Sequence, residues 1–458
     1  MRWLAGRIPP VTATQLGLFR VVLACAVGFT LYDLRLPPEP FPRDMHLTVH
    51  PLAQFEWVRW MAERPELVAR LELTAFALAA LFALGVATRL TFATLVGVLT
   101  AWTLVRLTHT GAHAWGALLV ALWAMLPVRW GDGVGIDALI RRLRGRTPPG
   151  GSATARTEYG YALWIPGVVF GAAMFAAAIA KLHSGIGWIT NGTVKYFFVI
   201  DAARAPTDWG LWVASHHWAA VALSAGAIVT ELSLVLAVFI RSYAGRLPFA
   251  LLGFGLLFGF WAFQHELWYA WWTLYLAFFI PWPAVFSALG ARAAGTAAAG
   301  ALTAPQWVAL ALVVGVQAAA IVLRIEISPI MSDYPMYSTT YASVEEFERR
   351  NPIPPVYRFA VRLADGTERD ATEAAERLEI DDVIRDAHNL LREERGDRAA
   401  HLLALDAAAE RLARHFGEPV AAIVIRIDQR GFDFDQGRFA WKLVDHLVGE
   451  YPTRAVAR

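Results

Sequence analysis

The sequence predicts an all-α polytopic membrane helix bundle of about nine spans, followed by a small C-terminal α+β extramembrane domain. Three observations carry this expectation. Hydrophobic residues make up 57% of the 458-residue chain and charged residues only 17%, against about a quarter charged in an ordinary soluble domain. Apolar runs near the roughly 20 residues needed to cross a bilayer recur from residue 16 to residue 324. After them the pattern changes to short alternating and amphipathic stretches. The lipid bilayer is thus the expected partner. A formal net charge of +2 gives no reason to expect a nucleic acid. Cys25 is the only cysteine, which excludes an intramolecular disulfide and a cysteine-based metal cluster; no metal site is expected.

The apolar runs lie at 16–34, 67–88, 90–108, 113–130, 161–182, 217–240, 248–264, 268–286 and 305–324. Arg2 and Arg7 precede the first, as in a signal peptide. The run is too long for one, however, and lacks a small-x-small cleavage site, so it reads as a retained span. Loops on the side of the N-terminus hold Arg2, Arg7, Arg89, Arg129, Arg141, Arg142, Arg144, Arg146, Arg156, Arg241, Arg246 and Arg292, and the opposite loops are poorer. By the positive-inside bias the N-terminus is expected in the cytoplasm, the chain in the cytoplasmic (inner) membrane, and the tail outside, in the periplasm. The expected division is a bundle over 1–327, a connector over 328–350 and an external domain over 351–458.

The most informative single residue is Lys181. Only three of the 41 basic residues are lysines, and this one closes the apolar run Tyr161 to Ala180. An ammonium can lose its proton when desolvated, whereas a guanidinium effectively cannot. Lys181 is therefore a candidate general base, unless it merely snorkels its charge to the headgroups. Eight histidines precede residue 324: His46, His50, His109, His113, His183, His216, His217 and His265. In the expected topology all eight, with Glu266, fall at the external end, where Lys181 also lies. Imidazoles gathered at one end suit proton chemistry near neutral pH, although the external loops are also simply longer.

Two charges lie deeper, Arg20 in the first run and Glu231 in the sixth. Both are about 10 to 15 Å from the cytoplasmic side at 1.5 Å per residue, and they are expected to form a structural ion pair or, alternatively, a proton relay. The stretch 181–200, KLHSGIGWITNGTVKYFFVI, is too polar at its start to span and too apolar at its end to be free loop. It is expected to re-enter the surface, with turns at Gly185, Gly187 and Asn191-Gly192 and Trp188 at the interface. Residues 261–282 crowd aromatics, including Trp268, around His265, either as an interfacial belt or as walls for a flat ring. Gly131 to Gly135 lacks the strand and the Lys-Ser/Thr of a phosphate loop and reads as a turn. In the tail, Tyr357, Phe359, Val361 and Leu363 alternate before an Asp365-Gly366 turn. Helices are expected at 372–392 and 397–416, and a second strand at Ile423, Ile425 and Ile427.

Four segments resemble the HTTM (horizontally transferred transmembrane) family, whose domain is shared with vitamin K-dependent gamma-carboxylase: LFRVVLACAVGF in the first run, HAWGALLVALWAMLP from His113, AAAIAKLHSGIGW around Lys181, and the His265 segment. The SDYPMYS turn after the last run is a further family-like trait, and together they cover residues 16–338. The resemblance implies an enzyme that oxygenates a reduced quinone (vitamin K hydroquinone-like) with dioxygen to an epoxide. It further implies use of the strong base so formed to carboxylate a glutamate side chain with carbon dioxide. In that reading Lys181 is the initiating base and His113 steadies the reacting anion, while His183, Trp188, His265, Glu266 and Trp268 bind substrate. The lone cysteine and the short tail depart from the carboxylase. The alternative the family allows is a non-enzymatic membrane scaffold, or a maturation or export partner for a secreted peptide or protein. A transporter built on Arg20 and Glu231 would call for inverted repeats, and the sequence shows none.

Overall fold

The computed structural model describes residues 2–36, 51–109, 115–146, 153–183, 185–291, 301–325, 327, 338–353, 355–394 and 397–453. The chain divides into two compact units, Met1–Val213 with His217–Tyr341, and Ala214–His216 with Ala342–Arg458.

The first unit is helical. Its principal helices are α1 (Ala13–Asp33), α2 (Pro65–Leu84), α3 (Thr88–Arg106), α4 (Gly116–Ala124), α5 (Ile136–Leu143), α6 (Thr157–Leu182), α7 (Val194–Asp201), α8 (His217–Leu234), α9 (Tyr243–Gln264), α10 (Tyr269–Phe279) and α11 (Ala304–Leu323). Seven are long and apolar enough to cross a membrane: α1, α2, α3, α6, α8 with its continuation to Phe239, α9 and α11. The two other apolar runs form shorter helices. Run 113–130 yields α4 of nine residues, stopped ahead of Pro127, and run 268–286 yields α10 of eleven residues. In α10 the reason is local: Ile280, before Pro281, adopts the extended conformation that a following proline imposes. Both short helices are largely buried in protein, where backbone groups freed at their ends can find internal partners.

α6 is the hub. It is apolar all round and buried over nearly its whole length, as a helix surrounded by other helices must be. Gly167 and Gly171 let two neighbours come close: a Cβ would stand 2.2 Å from the Phe278 ring and 2.8 Å from the Val235 backbone. The peripheral helices instead turn apolar side chains outward, including Leu73 on α2, Leu251 on α9 and Val322 on α11. Such a surface suits hydrocarbon and not water. Cys25 is exposed near the middle of α1.

The start of α1 is fixed by a capping box, Thr12 with Gln15. The Gln15 amide also donates to the Pro283 and Ala291 carbonyls and to Ser287 Oγ. Arg20, one turn further in, is 1% exposed. It donates through Nη1 to the Trp130 carbonyl at 3.0 Å and through Nη2 to those of Ala83 and Val134 at 3.2 and 2.6 Å. The expected Arg20–Glu231 pair is therefore a misreading. The arginine ties α1 to the α2–α3 turn and to the loop after α4, and its hydrogen bonds are spent on carbonyls.

The second unit is a small α+β domain. An antiparallel sheet of order β2-β1-β3-β4 is built from β1 (Val356–Leu363), β2 (Glu368–Asp370), β3 (Val420–Asp433) and β4 (Arg438–Pro452). Its buried face packs Phe359, Val361, Ile423 and Ile425 against Ile384, Leu405 and Leu412. The expected helix over 372–392 is two, α12 (Thr372–Arg377) and α13 (Asp381–Arg392), followed by α14 (Arg398–Phe416). The break falls at Glu379, whose φ is +54°. β4 was not anticipated.

Candidate functional site

The site is built where α6 ends. Lys181 is 4% exposed and its Nζ donates to both carboxylate oxygens of Glu231, at 2.8 and 2.9 Å. Glu231, on α8, is 2% exposed. Trp188 lies over the ammonium, its ring centroid 5.6 Å from Nζ. Sequence position put Lys181 at the external end of the bundle; in the structure it is the second-last residue of α6, and its partner stands well inside α8. Glu231 lies roughly 20 Å along α8 from His217 at 1.5 Å per residue, and about 14 Å from Phe239 because the continuation Val235–Phe239 is a 3-10 helix with a longer rise, so the carboxylate stands away from both ends of that helix.

The segment after Lys181 helps to bury the pair. A single helical turn, Gly187–Thr190, and α7 fold back beside α8. There Trp188, Ile189 and Val194 pack with Ala227 and Ile228, and the Val194 amide reaches Ser224 Oγ. Gly192, at φ +59°, passes so close to α8 that a Cβ would stand 2.8 Å from that of Ala220. The turn satisfies its amides internally: Ile189 and Thr190 donate to the Ile186 carbonyl, Asn191 to Gly187 and Thr193 to Trp188. Irregular backbone packed among apolar helices needs such internal partners.

Lys181 and Glu231 form the polar end of a cavity of about 310 Å³ between α7, α8 and α9, within the size range of small-molecule sites. Its walls are apolar and aromatic, with Trp188, Phe197, Phe198, Phe260 and Phe263 among them. Phe198 and Phe263 stack with centroids 4.6 Å apart. Gly226 and Gly255 leave space, since a Cβ at either meets nothing within 4 Å. Leu251 and Leu252, which also line the cavity, are exposed on α9. The mouth therefore opens sideways, on the face of α9 that carries its outward apolar residues. Gln264 also lines the cavity, and its amide donates to buried Asp201 at 2.9 Å. Arg204 pairs with Asp201 and lies 3.6 Å from Glu266.

Against known protein families, curated proteins and solved structures, the chain has no match.

Of the residues singled out from sequence, Lys181, Trp188 and Glu231 meet at this cavity. Trp268 stands behind its wall, its ring 4.9 Å from that of Phe260. Glu266 belongs to the Arg204 cluster. His183 and His265 are exposed; His265 caps α9 at φ +60°, and neither lines the cavity. No described histidine does. His113, His46, His50 and residues 332–337 of the SDYPMYS turn lie outside the described residues. Sequence reasoning missed Thr230, Gln264 and Asp201. The signal for Lys181 with Glu231 was present, as two isolated opposite charges in apolar helices, but the axial offset between α6 and α8 is set by the fold-back of residues 185–201.

Proposed function

We propose that the chain is a multi-pass membrane enzyme that takes a flat, lipid-soluble hydroquinone into the α7–α8–α9 cavity and, with dioxygen, converts it to an epoxide. In this reading the seven long helices cross the inner membrane and the two shorter apolar runs, which hold α4 and α10, complete nine crossings inside them, with the N-terminus cytoplasmic and the tail domain external. The observation that carries the proposal is the Lys181–Glu231 pair at the inner end of an aromatic cavity that opens toward lipid.

The pair supplies a physical route to the first step. An ammonium–carboxylate pair has no net charge and holds one acidic proton fewer than it has sites for. A substrate hydroxyl set against it loses its proton to the pair, and the oxyanion left behind stays beside the Lys181 cation. Charge is conserved locally, so no ion is stranded in a low-dielectric site. The base is thus the pair and not an isolated neutral lysine. The aromatic walls hold the ring by stacking, and the sideways mouth admits a hydrophobic substituent from the bilayer. In the oxygenation that follows, one atom of dioxygen ends in the epoxide and the other in water. Carboxylation of a glutamate side chain with carbon dioxide is the further step implied by the family resemblance.

The test is to incubate the purified protein with a reduced naphthoquinone and oxygen and to follow the epoxide by mass spectrometry. Wild type is expected to form it, and Lys181→Ala and Glu231→Gln are expected to lose it while remaining folded. Absence of epoxide with wild type across several quinols, or undiminished formation by both variants, would sink the proposal.

A further inference from the structure

A second cavity, of about 450 Å³, lies at the opposite end of the bundle, at the turn between α2 and α3. Arg89, Arg129 and Arg141 line it together with Asp132 and Asp137. The two carboxylates are already engaged. Asp137 accepts the Ala87 and Thr88 amides and the Thr88 hydroxyl at 2.7 to 2.9 Å. Asp132 accepts Arg141 Nη1 at 2.6 Å and the Tyr159 hydroxyl at 2.8 Å. Arg89 is exposed and Arg129 half-buried, and neither guanidinium has a hydrogen-bond or ion-pair partner among the described residues. Arg141 Nε is buried and unpaired. Arg141 Nη2 also donates to the Gly131 carbonyl. Three arginines against two carboxylates leave the cavity a formal charge of +1, with the unused donors on Arg89, Arg129 and Arg141 Nε, the arrangement that binds a phosphate.

α5 borders the same place and says where the phosphate comes from. Its Ile136, Leu139, Ile140 and Leu143 are exposed, while Arg141 and Arg142 lie in its last turn and Arg144 and Arg146 follow. A short helix with an exposed apolar set and a basic end lies in a bilayer interface, its apolar side among acyl chains and its charges among headgroups. The adjoining turn joins two membrane-length helices, which is where headgroups stand.

We infer that the Arg89–Arg129–Arg141 cavity is a binding site for the phosphate of an anionic phospholipid, whose acyl chains lie along the apolar side of α5. Arg20 builds the floor of this site indirectly, since it holds the Ala83, Trp130 and Val134 carbonyls on either side of it.

The full-length protein, purified in detergent and stripped of lipid, is titrated with phosphatidylglycerol, with phosphatidylcholine and with inorganic phosphate, and bound ligand is read by native mass spectrometry. Wild type is expected to prefer phosphatidylglycerol. Arg89→Gln with Arg129→Gln is expected to weaken that binding on the order of thirtyfold, taking each basic contact at its usual interfacial strength, and to leave phosphatidylcholine unchanged. Leu139→Ser with Leu143→Ser is expected to weaken the lipid but not inorganic phosphate. Should the glutamine variant not fold, Arg89→Lys with Arg129→Lys keeps the charge and loses the guanidinium fork, and a several-fold loss is expected. Equal binding of the two lipids by wild type, or phosphatidylglycerol affinity unchanged in the arginine variants, overturns the site. Inorganic phosphate binding as tightly as phosphatidylglycerol overturns the lipid as its source.

Discussion

Of the three basic side chains buried among the described residues of the first unit, Arg20, Lys181 and Arg246, Arg20 and Lys181 are treated differently. Arg20 directs its guanidinium at three main-chain carbonyls, which cannot take or give a proton, and it lines neither of the two cavities described above. Lys181 directs its ammonium at a carboxylate, which can, and both groups border an apolar cavity. The lesson lies in the partner and not in the charge. A buried cation held by carbonyls is a fastener, whereas one held by a titratable group beside open space is equipped for chemistry.

The sharpest test of that contrast is kinetic. Lys181→Ala or Glu231→Gln should reduce quinol turnover by roughly 10² to 10⁴, the usual contribution of general acid–base catalysis, as measured by epoxide formation per folded molecule. Arg20→Met should leave turnover per folded molecule unchanged. Loss of turnover in the Arg20 variant comparable with that in the Lys181 variant would erase the distinction.

Stability should separate the two cations next. Removing one partner of the buried pair strands the other and should cost about 3–5 kcal/mol. The double variant Lys181→Met, Glu231→Leu should recover most of that in thermal unfolding while staying inactive. No such rescue exists for Arg20→Met, which frees three carbonyls at about 1–3 kcal/mol each and has no single second change to compensate it.

A smaller effect should come from the space beside the pair. Gly255→Leu places a side chain in a cavity where Cβ meets nothing, so KM should rise about tenfold, the scale of a few lost apolar contacts, with the unfolding temperature nearly unchanged. An unaffected KM would mean that the ring binds elsewhere.

The smallest concerns a buried histidine in the tail domain. His388 is 1% exposed, its Nδ1 lies 2.8 Å from the Tyr451 hydroxyl, and its Nε2 is buried without a partner. Burial, and after it the nearby Arg392 charge, lower its pKa. The unfolded chain therefore takes up this proton first as pH falls, beginning near the ordinary histidine value of about 6.5. Stability from His388 is complete above that value and declines on acidification below it. The protection of α13 against hydrogen exchange, taken relative to the intrinsic exchange rate at each pH, should fall as pH drops below about 6.5, and His388→Phe should flatten the response; an unchanged pH profile in the variant would assign the effect to other groups.

Much of this architecture could be read from the chain because lipid-facing and hub helices both demand long apolar runs, and α1, α2, α3, α6, α8, α9 and α11 have them. The two runs that fell short did so at Pro127 and Pro281, residues whose effect on a helix is local and legible. Strand β4, RFAWKLVDHLVGEYP, escaped notice because its pairing with β3 shifts register at three places, which scrambles the period-two pattern. At the site, Lys181 and Trp188 stood out by residue type. Glu231 was assigned to the wrong cation, because counting along separate helices does not measure how far one slides past another. Gln264 and Thr230 carried no signal, since a polar residue in an aromatic run becomes meaningful only once its neighbours from other helices are known.

The exposed sulfur of Cys25 on α1 has a practical meaning. With no other thiol in the chain, a nitroxide attached there reports from one spot without any residue being changed. If α1 lies in hydrocarbon, dissolved oxygen will relax that label strongly and an aqueous nickel chelate hardly at all, and the ratio of the two gives the immersion depth of the helix.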